Sequence, residues 1–180
     1  SYPVGAGSRA ARAADVDGDG ATDLVLLGSG AAQIVVLSNN GNGTFAAPTL
    51  YNWAGPPGTT LDVGDLDGDG DVDIAIGGSV GVPVFFNQGN GTFGAAVDVA
   101  PGAVSARMTS ADLDVDGRPD LLLEGAYNLD VLFNLGAGAF SAPKRYGSGP
   151  FPQAIAAGDL DGDGRPDVVA AIDPGTVIRL

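Results

Sequence analysis

Four nine-residue segments carry one carboxylate pattern, and this limits the fold more than any other feature of the chain. They are Asp15-Val-Asp-Gly-Asp-Gly-Ala-Thr-Asp23, Asp65-Leu-Asp-Gly-Asp-Gly-Asp-Val-Asp73, Asp112-Leu-Asp-Val-Asp-Gly-Arg-Pro-Asp120 and Asp159-Leu-Asp-Gly-Asp-Gly-Arg-Pro-Asp167. Each has aspartate at positions 1, 3, 5 and 9 and glycine at position 6. Side chains at 1, 3 and 5 of a tight loop converge on one point, and position 9 closes the cage. The candidate ligand sets are therefore Asp15, Asp17, Asp19 and Asp23; Asp65, Asp67, Asp69 and Asp73; Asp112, Asp114, Asp116 and Asp120; and Asp159, Asp161, Asp163 and Asp167. Position 7 adds a backbone carbonyl, from Ala21, Asp71, Arg118 or Arg165. An all-oxygen shell of this kind suits Ca²⁺, which takes about 6–8 oxygens in flexible geometry, better than Mg²⁺, which demands a near-ideal octahedron. About four Ca²⁺, one per repeat, are expected.

The EF-hand loop also opens with carboxylates at 1, 3 and 5 and glycine at 6, but it needs glutamate at 12 and helices on both sides. Here position 12 is Leu26, Ile76, Leu123 or Ala170, and short apolar runs such as Leu24–Leu27 follow position 9. Such runs read as strands. The Gly-Gly-x-Gly nonapeptide of calcium-binding parallel β-helices is absent. These are cation loops set between strands.

The loops start at 15, 65, 112 and 159, spacings of 50, 47 and 47 residues, and a period of that size marks repeat architecture, propeller blades among the outcomes. Each period holds four strand-like pieces. The first precedes the loop and is rich in small residues: Arg9–Ala14, Thr59–Gly64, Val104–Ala111 and Gln153–Gly158. The second follows position 9 and is apolar on both faces, as a strand between two neighbouring sheets must be. The third is Gln33–Leu37, Val82–Phe86, Leu129–Phe133 and Thr176–Leu180. Turns rich in Asn and Gly follow at 39–43, 87–91 and 134–138. A fourth strand then begins at Phe45, Phe93 or Phe140 and runs toward Tyr51, Val99 or Tyr146. The expectation is an all-β propeller of four-stranded antiparallel blades without helix, in one repeat domain over 1–180. Blade repeats fall at about 3–51, 52–99, 100–146 and 147–180, and the last lacks its outer strand.

The Asp-x-Asp-Gly-Asp-Gly-x-x-Asp loop, the Asn-x-Gly-x-Gly-x-Phe turn and the 47-residue period together resemble FG-GAP/VCBS repeats. These occur in integrin α-chain propellers, in certain calcium-dependent fungal lectins and in many bacterial secreted proteins. The resemblance implies Ca²⁺ in the hairpin between the first and second strands of each blade, held by every aspartate named above. One departure is Val115, where the other loops have Gly18, Gly68 and Gly162. It implies a third site that is weaker or differently shaped. Such propellers are commonly seven-bladed, and three readings of this chain stay open: part of a larger propeller, a small four-bladed ring, or an assembly subunit whose open edge self-associates or pairs with another chain.

Composition narrows the function. The chain has 22 acidic and 8 basic residues, net −14, and 17 of the acids lie in the four loops. The acidity is thus mostly a metal inventory, and nucleic acid, which requires a basic footprint, is not an expected partner. With neither Cys nor His, disulfides, zinc or haem ligation and Ser-His-Asp chemistry are excluded. No apolar run is long enough for membrane insertion as a helix. Identical fourfold repetition of the aspartates argues for metal rather than catalysis, so no catalytic residue is assigned and no enzyme is expected. Glu124, Asp130 and the Lys144-Arg145 pair read as exposed surface. Trp53, the only tryptophan, is a ligand-binding candidate, with packing against the blade edge as its alternative. The expected function is a calcium-stabilised extracellular or cell-surface binding and adhesion module for a protein or glycan. A carbohydrate-binding lectin and a structural subunit of a surface assembly are the alternatives.

Overall fold

A computed structural model of the chain describes residues 2, 4, 7–125, 127–147, 152–172 and 176–178. It is all-β. Blade 1 contains β1 (Ser8–Ala14), β2 (Asp23–Gly28), β3 (Gln33–Leu37) and β4 (Thr49–Asn52), and blade 2 contains β5 (Thr60–Gly64), β6 (Asp73–Gly77), β7 (Pro83–Phe85) and β8 (Val97–Asp98). In blade 3, β9 (Arg107–Ala111), β10 (Asp120–Glu124) and β11 (Asn128–Leu132) are followed by a small ribbon of β12 (Asn134–Gly136) and β13 (Ala139–Phe140), then by β14 (Lys144–Gly147). Blade 4 contains β15 (Pro152–Gly158), β16 (Asp167–Ile172) and β17 (Thr176–Ile178). The first three blades are four-stranded meanders, and β15, β16 and β17 form a three-stranded sheet. The expected third strand of blade 4 is present as far as Ile178; Arg179 and Leu180 lie outside the described residues.

Each aspartate loop is the hairpin between the first two strands of its blade. The closing pairs are Ala14↔Asp23, Gly64↔Asp73, Ala111↔Asp120 and Gly158↔Asp167. The third strands sit one residue earlier in blades 2 and 3 than their phenylalanines suggest, since Leu24↔Leu37 is matched by Ile74↔Phe85 and Leu121↔Leu132. Phe86 and Phe133 lie beyond the pairing, although aromatic residues favour strands. The fourth strand is also in two pieces. Phe45 and Phe93 make isolated bridges to Asn39 and Asn87, and Phe140 pairs with Asn134, before the outer strand proper begins.

The inner strands β1, β5, β9 and β15 adjoin in that order, while β15 does not adjoin β1 in this way among the described residues. Among the described residues the blades therefore follow one another in an arc that β15 and β1 do not close. Position in the arc explains burial. β6 and β10, covered by a blade on each side, are buried along their whole length, whereas β2 at the end of the arc alternates between buried and half-buried. Asp62 on β5 ties three inner strands together. Its Oδ1 accepts from Arg12 Nε on β1 at 3.0 Å, and its Oδ2 accepts from Ser110 N and Oγ on β9 at 2.7 and 2.9 Å.

Two surface expectations are overturned. Glu124 and Asp130 are buried, at 2 % and 3 % exposure. Each lies directly opposite an arginine on the neighbouring strand, Arg107 and Arg145. Arg107 donates to both Glu124 oxygens at 3.1 and 3.0 Å, and Arg145 donates to both Asp130 oxygens at 2.8 Å. A carboxylate between packed sheets persists only when paired, and arginine supplies that charge while keeping its head near solvent. Lys144, the other half of the basic pair, is exposed but lies over the Tyr146 ring at 5.2 Å.

Candidate metal centres

Local hydrogen bonding folds each loop around its own carboxylates. In the first loop, Asp15 accepts the amides of Gly18 and Gly20, Asp17 that of Asp19, and Asp19 that of Ala21. Asp23 reaches back, its Oδ2 accepting from Val16 N at 2.8 Å. The second loop repeats this set on Asp65, Asp67, Asp69 and Asp73, and the fourth on Asp159, Asp161, Asp163 and Asp167. The position-7 amides of Ala21, Asp71, Arg118 and Arg165 are thus spent on position 5 in all four loops.

The carboxylates converge. One oxygen from each of Asp15, Asp17 and Asp19 lies within 4.8 Å of the others, and the same holds for Asp65, Asp67 and Asp73, for Asp112, Asp114 and Asp120, and for Asp159, Asp161 and Asp167. Two oxygens bound to one Ca²⁺ at about 2.4 Å stand at most about 4.8 Å apart, so these clusters have the span of a calcium shell. Each carboxylate oxygen has two lone pairs, which leaves acceptor capacity beside the loop amides. The donor set fits a hard cation.

Burial strains the clusters electrostatically when no cation balances them. Asp73 is pushed up to about 6, chiefly by burial and further by Asp67 and Asp69, against the lowering effect of the Asn87 and Leu66 amides. Burial likewise raises Asp120, Asp17 and Asp67. A raised carboxyl means that the metal-free fold binds more protons than the unfolded chain between about pH 3.8 and 6. Stability without metal should therefore fall as pH rises through that window, whereas a bound cation favours the carboxylate form. In calorimetry with chelator, the melting temperature is expected to fall between about pH 4 and 6, and the rise caused by added calcium to grow over the same interval. A calcium effect that shrinks as pH rises would contradict the assignment.

The third loop differs, as Val115 implied. Val115 takes φ 63°, in the region its glycine counterparts Gly18, Gly68 and Gly162 occupy at 75°, 88° and 81°. A β-branched residue there is strained. The Asp116 amide turns to Asp112 Oδ1, whereas Asp17, Asp67 and Asp161 hold the corresponding amide in the other loops. Arg118 pairs with Asp116 and donates from Nε to Asn134 O at 3.0 Å. A Cβ on any of the three glycines would meet nothing within 4 Å, so the penalty at Val115 is conformational rather than steric. Val115→Gly is expected to stabilise the protein by about 1 kcal/mol, the strain relieved being partly offset by the entropy of an added glycine. Calorimetry that finds Val115→Gly destabilising would refute the strain.

One set of supporting residues carried a sequence signal that pattern reading assigned only to turns. Asn39, Asn87 and Asn134 open the Asn-x-Gly-x-Gly-x-Phe turns, and their backbone amides donate to the second oxygen of Asp23, Asp73 and Asp120. Their side-chain amides donate to the position-8 carbonyls of Thr22, Val72 and Pro119. Asn87 Nδ2 also reaches Val16 O at 2.7 Å, and Asn134 Nδ2 reaches Leu66 O at 3.1 Å, in the aspartate loop of the preceding blade. Ala137 N donates to Asp67 O at 2.9 Å, and a Cβ on Gly91 would stand 2.6 Å from that of Asp17. Each aspartate loop with a following turn is therefore embraced by the next blade. The repeated Asn, 14 residues after position 9 in blades 2 and 3 and 16 in blade 1, was the available clue.

Trp53 is half-buried, edge-on to Phe85 at 6.2 Å, with Nε1 donating to Pro56 O at 3.2 Å. One side borders a shallow cavity of about 150 Å³ with Val80, Pro83 and Asp98.

The FG-GAP-like repeat family matches residues 15–76, 65–123 and 112–170. Among solved structures, the chain is similar to a lectin from Agrocybe aegerita that recognises non-reducing terminal N-acetylglucosamine, at 27% identity and TM-score 0.69. That match covers 93% of this chain and 50% of the lectin, so the chain spans about half the lectin's length. It is also similar in fold to part of the Photorhabdus luminescens Tc holotoxin pore, at 23% identity and TM-score 0.58, over 94% of this chain and 9% of that one. No curated protein matches the chain in sequence.

Proposed function

The chain belongs to the FG-GAP-like repeat family, and from that premise we propose that it is a non-catalytic, calcium-stabilised, extracellular binding module. The observation that carries this is a cluster of three carboxylates in every blade hairpin, from positions 1, 3 and 5 in the first and from positions 1, 3 and 9 in the other three. In blades 1 and 2 the loop is also clasped by the following blade. Calcium would be held by the aspartates at positions 1, 3, 5 and 9, with the position-7 carbonyls of Ala21, Asp71, Arg118 and Arg165. Bound there, it supplies positive charge and a rigid cross-link. The protein's own groups do the rest: loop amides orient the carboxylates, and the turn asparagines transmit the loop's shape to the neighbouring blade. The acids outside the loops support a non-catalytic role, since Glu124 and Asp130 are each engaged by an arginine. The site type favours a setting outside the cell, because extracellular calcium modules work at about 10⁻⁴–10⁻³ M.

A glycan is the ligand class with a specific observation behind it, the likeness to the N-acetylglucosamine-recognising lectin. Native mass spectrometry with calcium and after chelation tests the metal reading, with four Ca²⁺ per chain expected and none sufficient to reject it. A glycan array probed in calcium tests the ligand class. Retention of terminal N-acetylglucosamine glycans supports it, and an array without hits returns the module to protein recognition.

A further inference from the structure

The turns of blades 1 and 2 hold the chain's three asparagine–glycine pairs, Asn40-Gly41, Asn42-Gly43 and Asn90-Gly91. All three asparagines are exposed. In such a pair the glycine nitrogen can attack the side-chain carbonyl carbon of the asparagine, since glycine has no Cβ to shield it. The turns treat the pairs unequally. Gly41 N donates to Asn39 Oδ1 at 3.0 Å, which ties that nitrogen to another acceptor. Among the described residues Gly43 N and Gly91 N have no acceptor. Thr44 Oγ1 donates to Asn42 Oδ1 and Thr92 Oγ1 to Asn90 Oδ1, each at 2.6 Å. The amides of the same threonines donate to the same two oxygens, at 3.0 and 3.1 Å. Two donors on one amide oxygen polarise its carbonyl carbon and stabilise the negative oxygen formed on attack, as an oxyanion hole does. Asn40 is held differently, its Nδ2 donating to Thr44 Oγ1 at 2.9 Å. Blade 3 has Ala137 where the other turns have Asn42 and Asn90.

We propose that Asn42 and Asn90 are self-modification sites, at which the turn promotes deamidation of its own asparagine. The nitrogen of Gly43 or Gly91 bonds to the asparagine Cγ and gives up its proton. The Cγ–Nδ2 bond breaks, and ammonia leaves with that proton. Water then opens the five-membered imide at one of its two carbonyls. One opening gives aspartate. The other gives isoaspartate, whose main chain runs through the former side chain and is longer by one methylene. The net reaction consumes one water and releases one ammonia, with no change of oxidation state. The two sites differ in what they touch. A Cβ on Gly43 would meet nothing within 4 Å, so a lengthened chain at Asn42 has open space. A Cβ on Gly91 would stand 2.6 Å from Asp17 Cβ and 3.3 Å from Asp17 Cα, so the same change at Asn90 presses on the aspartate loop of blade 1. The Asn90 turn also carries Asn87 to Val16 O and Phe93 into the core shared by blades 1 and 2. Conversion at Asn90 therefore loosens that junction, whereas conversion at Asn42 leaves it intact. This rests on the geometry of the turns and does not depend on the binding function proposed above.

The test ages the purified chain in calcium at mildly alkaline pH and maps each asparagine by peptide mass spectrometry. Conversion of amide to acid registers there as a mass gain, which isomerisation of an aspartate does not give. Conversion at Asn42 and Asn90 is expected to outrun that at Asn40. Thr44→Val and Thr92→Val, both at exposed positions, are expected to slow it about threefold at their own sites. The loss is smaller than in an enclosed oxyanion hole because water can take the place of the hydroxyl. Melting of the aged protein is expected to show a lowered midpoint, a loss that Asn90→Gln abolishes and Asn42→Gln does not. Absence of conversion, conversion at Asn40 equal to that at the other two, or rates indifferent to both valine substitutions overturns the self-promoted chemistry. A midpoint loss that persists in aged Asn90→Gln overturns the link to the blade junction.

Discussion

Chelating calcium is expected to lower the thermal midpoint of this protein by upwards of about 10 °C. A ligand at 100 times its dissociation constant stabilises a fold by about 2.7 kcal/mol per site. For a domain of this size each kcal/mol moves the midpoint by about 2–4 °C. Two effective sites already reach the stated shift, and four carboxylate clusters are present. The sign follows from charge: 17 aspartates lie in the loops of a chain with net charge −14, and without cations each hairpin closes against its own repulsion. Differential scanning calorimetry with calcium and with EDTA measures the shift. Asp161→Ala and Asp163→Ala should each reduce only the calcium-dependent part, since both side chains lie in an exposed loop. Identical melting in the two buffers would remove metal from the account of this fold.

Asn134→Ala is expected to cost about 3 kcal/mol, and Asn39→Ala only about 1. The Asn134 side chain is buried at 1 % exposure. It donates to Leu66 O and Pro119 O, both at 3.1 Å, and accepts from Gly136 N at 2.9 Å. Truncation leaves these backbone groups without their partner where water replaces it poorly, and the desolvation of unpaired groups dominates such losses. Asn39 opens the same turn, but it is half-buried and its side-chain amide donates within its own blade, to Thr22 O at 2.9 Å. The difference between the two variants therefore measures the bond that crosses from blade 3 to the aspartate loop of blade 2. Urea denaturation supplies both values, and equal losses would show that the crossing bond contributes nothing.

Much of this was legible in the sequence because each signal was local and repeated. The aspartate spacing predicted a hairpin between the first and second strands, and all four loops close on the pairs from Ala14↔Asp23 to Gly158↔Asp167. The substitution at Val115 predicted one loop unlike the others, and the Asp116 amide turns to a different acceptor there. Strand registers were read less well. Phe86 and Phe133 looked like strand residues by propensity, but pairing ended one residue earlier, where the turn asparagine takes its place two residues on. Glu124 and Asp130 looked like surface because a lone acid in a strand usually is. Their arginine partners stand on strands 17 and 15 residues away, and the burial comes from neighbouring blades.

By itself, then, the sequence determined the repeat, the strand order within a blade and the convergence of the carboxylates, because residues a few positions apart in a hairpin have little freedom to do otherwise. Only the tertiary structure decided how the blades meet. Asp62 bonding to both Arg12 and Ser110, and Asn87 and Asn134 reaching the preceding loop, join residues nearly 50 or more positions apart. Such contacts depend on the angle and distance at which whole sheets pack, which no local spacing specifies.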